Sequence, residues 1–504
     1  MDNKKLIGLV GGIFIFLSIL IMPTPEGMTI TAQRAAAITL LMAVWWITEA
    51  TYISATALVP LVLFPMLGIL KASQTAGNYG HNYVLMLLGG FFIAKAFEVH
   101  HVHKRLALHI IRNIGTSRRK IIISFMIATA LLSMWIANVA VTLIMLPIAM
   151  AIIFQEQSDQ EDVQKSKFGL ALLLGIAYSA SVGGTGSLIG TPPNMVLVGI
   201  MEKLYPLAPD ISFIKWMSVG VPLIIIFLPV IWFYLTRYYR VKGTFSGSGD
   251  VINKEIDSLG IMTSAEKRVL AIFVLTGLGW MFRKDIVLDN FVIHGWASLL
   301  GVKDFVHDAT VALIACMILF LVSTGKNNNG RYPQQRKLLT WKEAESVPWG
   351  VVLIVGAGYS IAEAFATTGL ASWIGNELAF IGGLPQILLL LIIVFLMIFI
   401  TEINSNTATA NIFLPVLATM AVAGGTNPML LMIPATIACS FAFMLPSGTG
   451  TNAVIFGSDM ISIKEMSRAG FWLNLICVFL LTLVMYFVVI PLFDISSTVP
   501  DWAK

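Results

Sequence analysis

Charge is scarce in this chain. Of its 504 residues, 12% are Asp, Glu, Lys or Arg, about half the roughly 25% of soluble domains, too little polar surface to cover a water-soluble globule. Cysteine is scarcer still. Cys316, Cys439 and Cys477 all stand in apolar runs, so no disulfide framework or cysteine-based metal site can be read from them. A nucleophile with its base, a metal-ligand helix motif and a phosphate-cradling loop are also missing, which argues against an enzyme. The net charge of +5 is small and sits in short loops, where membrane topology explains it better than nucleic acid does.

What is abundant is apolar sequence: 57% of residues are hydrophobic and the mean hydropathy is +0.85. Many runs approach the roughly 18 to 20 residues that span a bilayer. The pattern predicts an all-α membrane protein of about 11 transmembrane helices plus two re-entrant hairpins, arranged as two inverted-topology repeats with broken helices. Residues 1–30 form a first span. It is read as retained, with a cleaved signal as the alternative, because no small-residue cleavage site follows Leu6 to Met22. Residues 31–240 form a first repeat, with a hairpin at about 118–155 opening to the cytoplasm. Residues 241–265 are a cytoplasmic linker. Residues 266–504 form a second repeat, with a hairpin at about 383–423 opening to the outside.

The repeat is visible by laying Asn138 on Asn406, which brings Ala140 onto Ala408, Leu146 onto Leu414 and Pro147 onto Pro415. The same shift pairs Gly90, Ile93 and Phe97 with Gly358, Ile361 and Phe365. Further on, Gly190-Thr191 and Asn194 match Gly448-Thr449 and Asn452, at a shorter shift. The charged loop Gln155 to Lys167 is replaced there by the short Ala423 to Pro428. An odd number of spans per repeat inverts the second copy, and an N-terminus inside puts most of the 32 Lys and Arg in cytoplasmic loops. Polar breaks inside apolar runs, repeated in both halves, point to a transport site. Backbone without helix partners is expensive in hydrocarbon and must line protein or water. Half-helix N-termini suit carboxylates, and carbonyls and hydroxyls suit a small cation.

The two hairpin tips, the GTPPN at Gly190 to Asn194 and the AFMLPSGTGTNAVIFGS at Ala442 to Ser458 resemble the divalent anion/sodium symporter family over nearly the whole chain. The resemblance implies an elevator-type homodimer in the plasma (inner) membrane, carrying dicarboxylate anions and needing no cofactor beyond sodium ions. Carried over, substrate positions are Asn138, Val139, Thr191, Pro192, Asn406, Thr407, Thr449 and Gly450. Cation positions are Ser133, Ala137, Asn138 and Gly190 in one half, and Thr401, Ser405, Asn406 and Gly448 in the other. The first tip departs from the family's Ser-Asn-Thr by reading Ala137-Asn138-Val139, and the second break reads Thr449-Gly450-Thr451-Asn452 where Thr-Pro-Pro-Asn is usual. A hard cation needs oxygen ligands, so losing a hydroxyl weakens its site. On that ground the chain is read as a sodium-independent exchanger of 2-oxoglutarate, malate, fumarate and succinate. A sodium-coupled di- or tricarboxylate symporter is the alternative, and an anion channel a distant one, since rings of charge are lacking.

Other residues carry two readings each. Lys95, in mid-span, meets a dianion or forms a structural pair with its repeat mate Glu363. His100, His101 and His103 are read as headgroup-level residues before a metal site. Glu402 is read as satisfying hairpin backbone before serving proton coupling, and Trp45 and Trp46 as packing before a gate.

Overall fold

In the computed structural model, which describes residues 3–112, 117–158, 166–244, 248–288, 291–325, 336–378 and 384–504, the apolar runs become helices. In hydrocarbon a chain has only its own backbone to hydrogen-bond with. Among the described residues, 8 helices are long and apolar enough to cross a bilayer, and apolar helices of 10–17 residues accompany them. Large apolar side chains stay on the outside, Ile7 at 71% exposed and Phe14 at 69% among them, a surface suited to lipid.

The first helix, Asn3–Ile21, packs on Ile30–Thr48, which Thr29 caps by accepting from Ala32 N at 3.0 Å. The run expected to cross as Ile53 to Ile69 is divided into Ile53–Thr56 and Val59–Met66. Pro60 and Pro65 each remove a backbone donor there, and Gly68 turns the chain at φ +69. After the short Ala72–Tyr79, the helix Asn82–Val99 runs straight through Gly89-Gly90, a glycine pair that reads as a break in the apolar run Tyr83 to Ile111. Gly89 serves packing instead: a Cβ there would stand 2.6 Å from Ala312 Cβ. The chain breaks at His100 and His101, the latter at φ 56, before the amphipathic Val102–Arg112.

Two helix–turn–helix units follow the expected order, Arg118–Ser133 with Asn138–Ser158 and Gln386–Thr401 with Asn406–Ala423. On the sequence, the runs Ile121 to Ile136 and Val139 to Phe154 of the first are each short for a full crossing. Its second has 21 residues, roughly 31 Å at about 1.5 Å per residue, because the polar Gln155 to Ser158 continue the helix. The helices expected to break do so, as Lys167–Gly184 with Pro192–Leu204 and Pro428–Ala438 with Gly450–Phe456. The polar linker contains a helix, Ser248–Leu259. A two-stranded antiparallel ribbon, Ile286–Leu288 with Phe291–Ile293, adds a β element to the all-α expectation. The expected start of the second hairpin at 383 and residues 159–165 of the charged loop lie outside the described residues.

The two halves interlock. Pro192–Leu204 packs on Asn406–Ala423 and Trp349–Thr368, while Gly450–Phe456 packs on Asn138–Ser158 and Lys167–Gly184. Each broken helix thus delivers its second segment to the other half's hairpin.

Candidate functional site

Each tip is braced by the same i, i+5 contact. Ser133 Oγ donates to Asn138 Oδ1 at 2.9 Å, and Thr401 Oγ1 stands 2.8 Å from Asn406 Oδ1 and 2.8 Å from Cys439 O. Both hydroxyls end a first arm and both asparagines begin a second, so the turn is closed by side chains where backbone pairing stops.

The breaks share a clamp of their own. Asn194 Nδ2 donates to Gly184 O at 3.2 Å and Ser187 O at 2.7 Å, and Asn452 Nδ2 to Ala442 O at 3.0 Å and Leu445 O at 3.0 Å. Carbonyls left by the missing turn are satisfied in both halves by repeat-related amides. Thr191 and Thr449 precede the second segments in extended backbone, and neither side chain caps its helix. Pro192 and Pro193 supply no N–H at the first two helical positions.

Tips and breaks open into one cavity of about 620 Å³. Ala137, Asn138, Val139, Gly190, Thr191, Pro192, Ser405, Asn406, Thr407, Gly448, Thr449 and Gly450 all line it. Ser133 and Thr401 stand behind this lining, one hydrogen bond from their asparagines. Val139 meets the opposite half directly: a Cβ at Gly450 would lie 2.5 Å from Val139 Cγ2. A second cavity of about 710 Å³ shares Ser405 and Thr407 and reaches Lys5.

The Asn138 amide suits its surroundings with nitrogen inward, and with oxygen inward only where a cation stands between the oxygens. With nitrogen inward it donates to Ala180 O at 3.2 Å, Gly190 O at 3.3 Å and Ser133 Oγ at 2.9 Å. With oxygen inward it accepts from Ser133 and faces those two carbonyls, an oxygen set that a small hard cation takes. A Cβ at Gly190 would stand 2.5 Å from Gly184 O and 3.0 Å from both Met134 O and Ser133 O. The first half therefore keeps oxygens from Ser133, Asn138, Ala180 and Gly190 despite Ala137, and the second offers Thr401, Asn406 and Cys439.

The charged residues of the lining are Lys95, Glu98 and Glu49. The expected Lys95 to Glu363 pair does not form. Lys95 Nζ reaches Glu98 Oε1 at 2.9 Å on its own helix, where a partner three residues on faces it, and Glu363 takes Lys203 at 3.3 Å and Asn78 at 2.7 Å. His100 and His103 are buried within the protein, with Nε2 2.6 Å from Leu338 O and Nδ1 2.8 Å from Phe97 O respectively. Trp46 is buried and donates to Ile53 O at 3.0 Å. Glu402 binds backbone as read, but that of the second break and not of its own hairpin. Its partner Asn474, at 2.7 Å, was missed, and its distance along the chain gave no local signal.

The profile of the family described as "Sodium:sulfate symporter transmembrane region" matches residues 3–494. A protein of Staphylococcus saprophyticus named sodium-dependent dicarboxylate transporter SdcS is 39% identical over 503 residues, covering 98% of this chain and 93% of its own. A protein of the same name from Staphylococcus aureus is 40% identical, covering 98% and 94%. Among solved structures, Neisseria gonorrhoeae MtrF shares the fold at a TM-score of 0.61 and 12% identity, over 99% of this chain and 98% of its own. The Alcanivorax borkumensis YdaH transporter does so at 0.57 and 13%, over 91% and 98%.

Proposed function

This chain belongs to the sodium:sulfate symporter family, and from that premise we propose that it is a secondary transporter of C4 and C5 dicarboxylates driven by sodium. One observation carries the reading. Two asparagine-bearing tips and two helix breaks meet at a single cavity of about 620 Å³ with an uncharged polar lining at the tips, a size within the roughly 300 to 1,000 Å³ of small-molecule sites. Amides of Asn138 and Asn406, hydroxyls of Thr191, Thr407 and Thr449, and free N–H groups at the starts of the second arms take the two carboxylates. Neutral donors bind a dianion without a fixed countercharge, so it leaves again.

Sodium coupling replaces the exchange expected from the first tip. Full-length relatives carry the name sodium-dependent, and oxygens of Ser133, Ala180 and Gly190 still gather around Asn138. Exchange stays as the second reading, favoured by Ala137 and Val139 themselves. An elevator-type movement in a homodimer, with the N-terminus cytoplasmic in the plasma membrane, completes the proposal.

The test is uptake of labelled succinate into proteoliposomes, with sodium varied and internal dicarboxylate present or absent. Saturable, sodium-driven uptake into vesicles without internal substrate is the expected result. Counterflow that requires internal dicarboxylate and ignores sodium overturns coupling in favour of exchange, and flux that never saturates overturns the carrier.

A further inference from the structure

The helix Asn82–Val99 carries two charged residues, Lys95 and Glu98. Phe91, Ala94, Lys95 and Glu98 all line the cavity of about 620 Å³, and their spacing places them on one face of that helix. A lysine in mid-span is expensive unless it meets a partner or a water-filled space, and Lys95 has both. Its side chain is 20% exposed, and its ion-pair partner among the described residues is Glu98, at 2.9 Å. Among the described residues, the lining sets that one basic side chain against the carboxylates of Glu98 and Glu49.

This pair opens at little cost. Glu98 is its more exposed member, at 47%, and a half-exposed i, i+3 pair holds weakly against water. The carboxylate can turn to solvent while the ammonium stays over the cavity. Little more than one turn before Lys95, the same helix lies against the first break: a Cβ at Gly90 would stand 3.6 Å from Ile189 Cβ, and Ile189 leads into Gly190 and Thr191 of the lining. From Gly90 to Lys95 is roughly 7 to 8 Å along the axis, at about 1.5 Å per residue. Helical side chains lean back toward the N-terminus, so an ammonium released by Glu98 extends toward the break. The tips and breaks that line the cavity offer neutral groups, which leaves Lys95 as the place where the number of charges on a substrate can be read.

We propose that Lys95 is a specificity-determining residue of the transport site: Glu98 holds its ammonium in the free carrier, a substrate carboxylate takes the place of Glu98 on binding, and the exchange favours carboxylates of higher negative charge. The inference rests on the carboxylate transport proposed above. Neutral amides and hydroxyls at the tips recognise carboxylate groups, and the Lys95 ammonium adds an attraction that grows from monoanion to dianion to trianion. Glu98 keeps that ammonium from retaining the substrate, because the pair re-forms as the substrate leaves.

The test is initial uptake of labelled succinate into proteoliposomes at fixed sodium, with unlabelled citrate, a tricarboxylate, and monomethyl succinate, a monoanion, as competitors. Lys95→Met should raise the KM for succinate by about threefold to tenfold, the scale of one unit charge removed at roughly 7 to 10 Å in a partly wet site. It should also weaken inhibition by citrate more than inhibition by the monoester. Glu98→Gln should shift both readings in the opposite direction, and Lys95→Arg should stay near wild type. Where Lys95→Met fails to fold, Glu98→Gln decides alone: a lower KM with stronger inhibition by citrate supports the inference, and an unchanged or higher KM overturns it. Readings that move in the same direction in both variants, or in neither, overturn it as well. Wild-type vesicles that take up no succinate overturn instead the transport reading on which it rests.

Discussion

The two halves follow one plan and differ in chemistry. In the first, the break between Gly184 and Pro192 is buried throughout, and the tip presents Ala137 and Val139, the latter 39% exposed. In the second, Ser447 and Gly450 of the break are exposed, the tip carries Ser405 and Thr407, and Thr407 is 7% exposed. The clamping asparagines correspond, while Met134 stands where the other half has Glu402. Repetition therefore preserves what holds non-helical backbone inside apolar surroundings, and leaves free what lines the cavity. The first half thus has a buried break and a tip without hydroxyls at 137 and 139, and the second a part-exposed break and a tip with two.

The largest effect expected of this difference is at the asparagines. Asn406→Ala removes an amide from the cavity and unbraces Thr401, and should lower initial succinate uptake by about tenfold to a hundredfold, as hydrogen bonds to charged groups contribute roughly 1.5 to 3 kcal/mol. Asn138→Ala should cost less, and equal losses would mean the halves contribute alike.

Next come the clamps. Asn194→Ala strands two carbonyls in the buried break, at about 1 to 3 kcal/mol, and should depress the melting temperature more than Asn452→Ala, where the bond to Leu445 O is only part-buried and that carbonyl can take water. A third change touches the contact between halves. Gly450→Ala places its methyl against Val139 Cγ2, at about 1 to 3 kcal/mol if the neighbour cannot yield, and should raise the KM for succinate several-fold. Val139→Ala in the same chain should restore it. The smallest change expected is in Ala137→Ser, which adds one hydroxyl to the first tip and should lower the sodium midpoint by about twofold to threefold, the low end of the worth of one neutral hydrogen bond.

How far these features could be read from the chain follows from how local they are. The tips and breaks were legible because a polar cluster inside an apolar run, such as Ser405-Asn406-Thr407, has few stable places in a membrane, and its recurrence after Asn138 marks the partner. Asn194 and Asn452 stood out as a repeated pair, though not as clamps. Glycine was ambiguous: the Gly89-Gly90 pair looks like a break, yet it brings Ala312 close. Lys95 shows the limit of symmetry, since its repeat mate Glu363 exists but a nearer carboxylate at Glu98 takes the ammonium. Asn474 behind Glu402, and the ribbon at Ile286–Leu288, depend on packing between distant segments, which no periodicity carries.

The most direct measurement of the central claim, a dianion site completed by sodium, is the melting temperature of the purified protein with succinate, in sodium and in choline medium. A ligand that binds only the folded state raises it by mass action. Succinate should stabilise the protein in sodium and much less in choline, and the shift should vanish in Asn406→Ala. An equal shift in both media, undiminished by that substitution, would contradict the account.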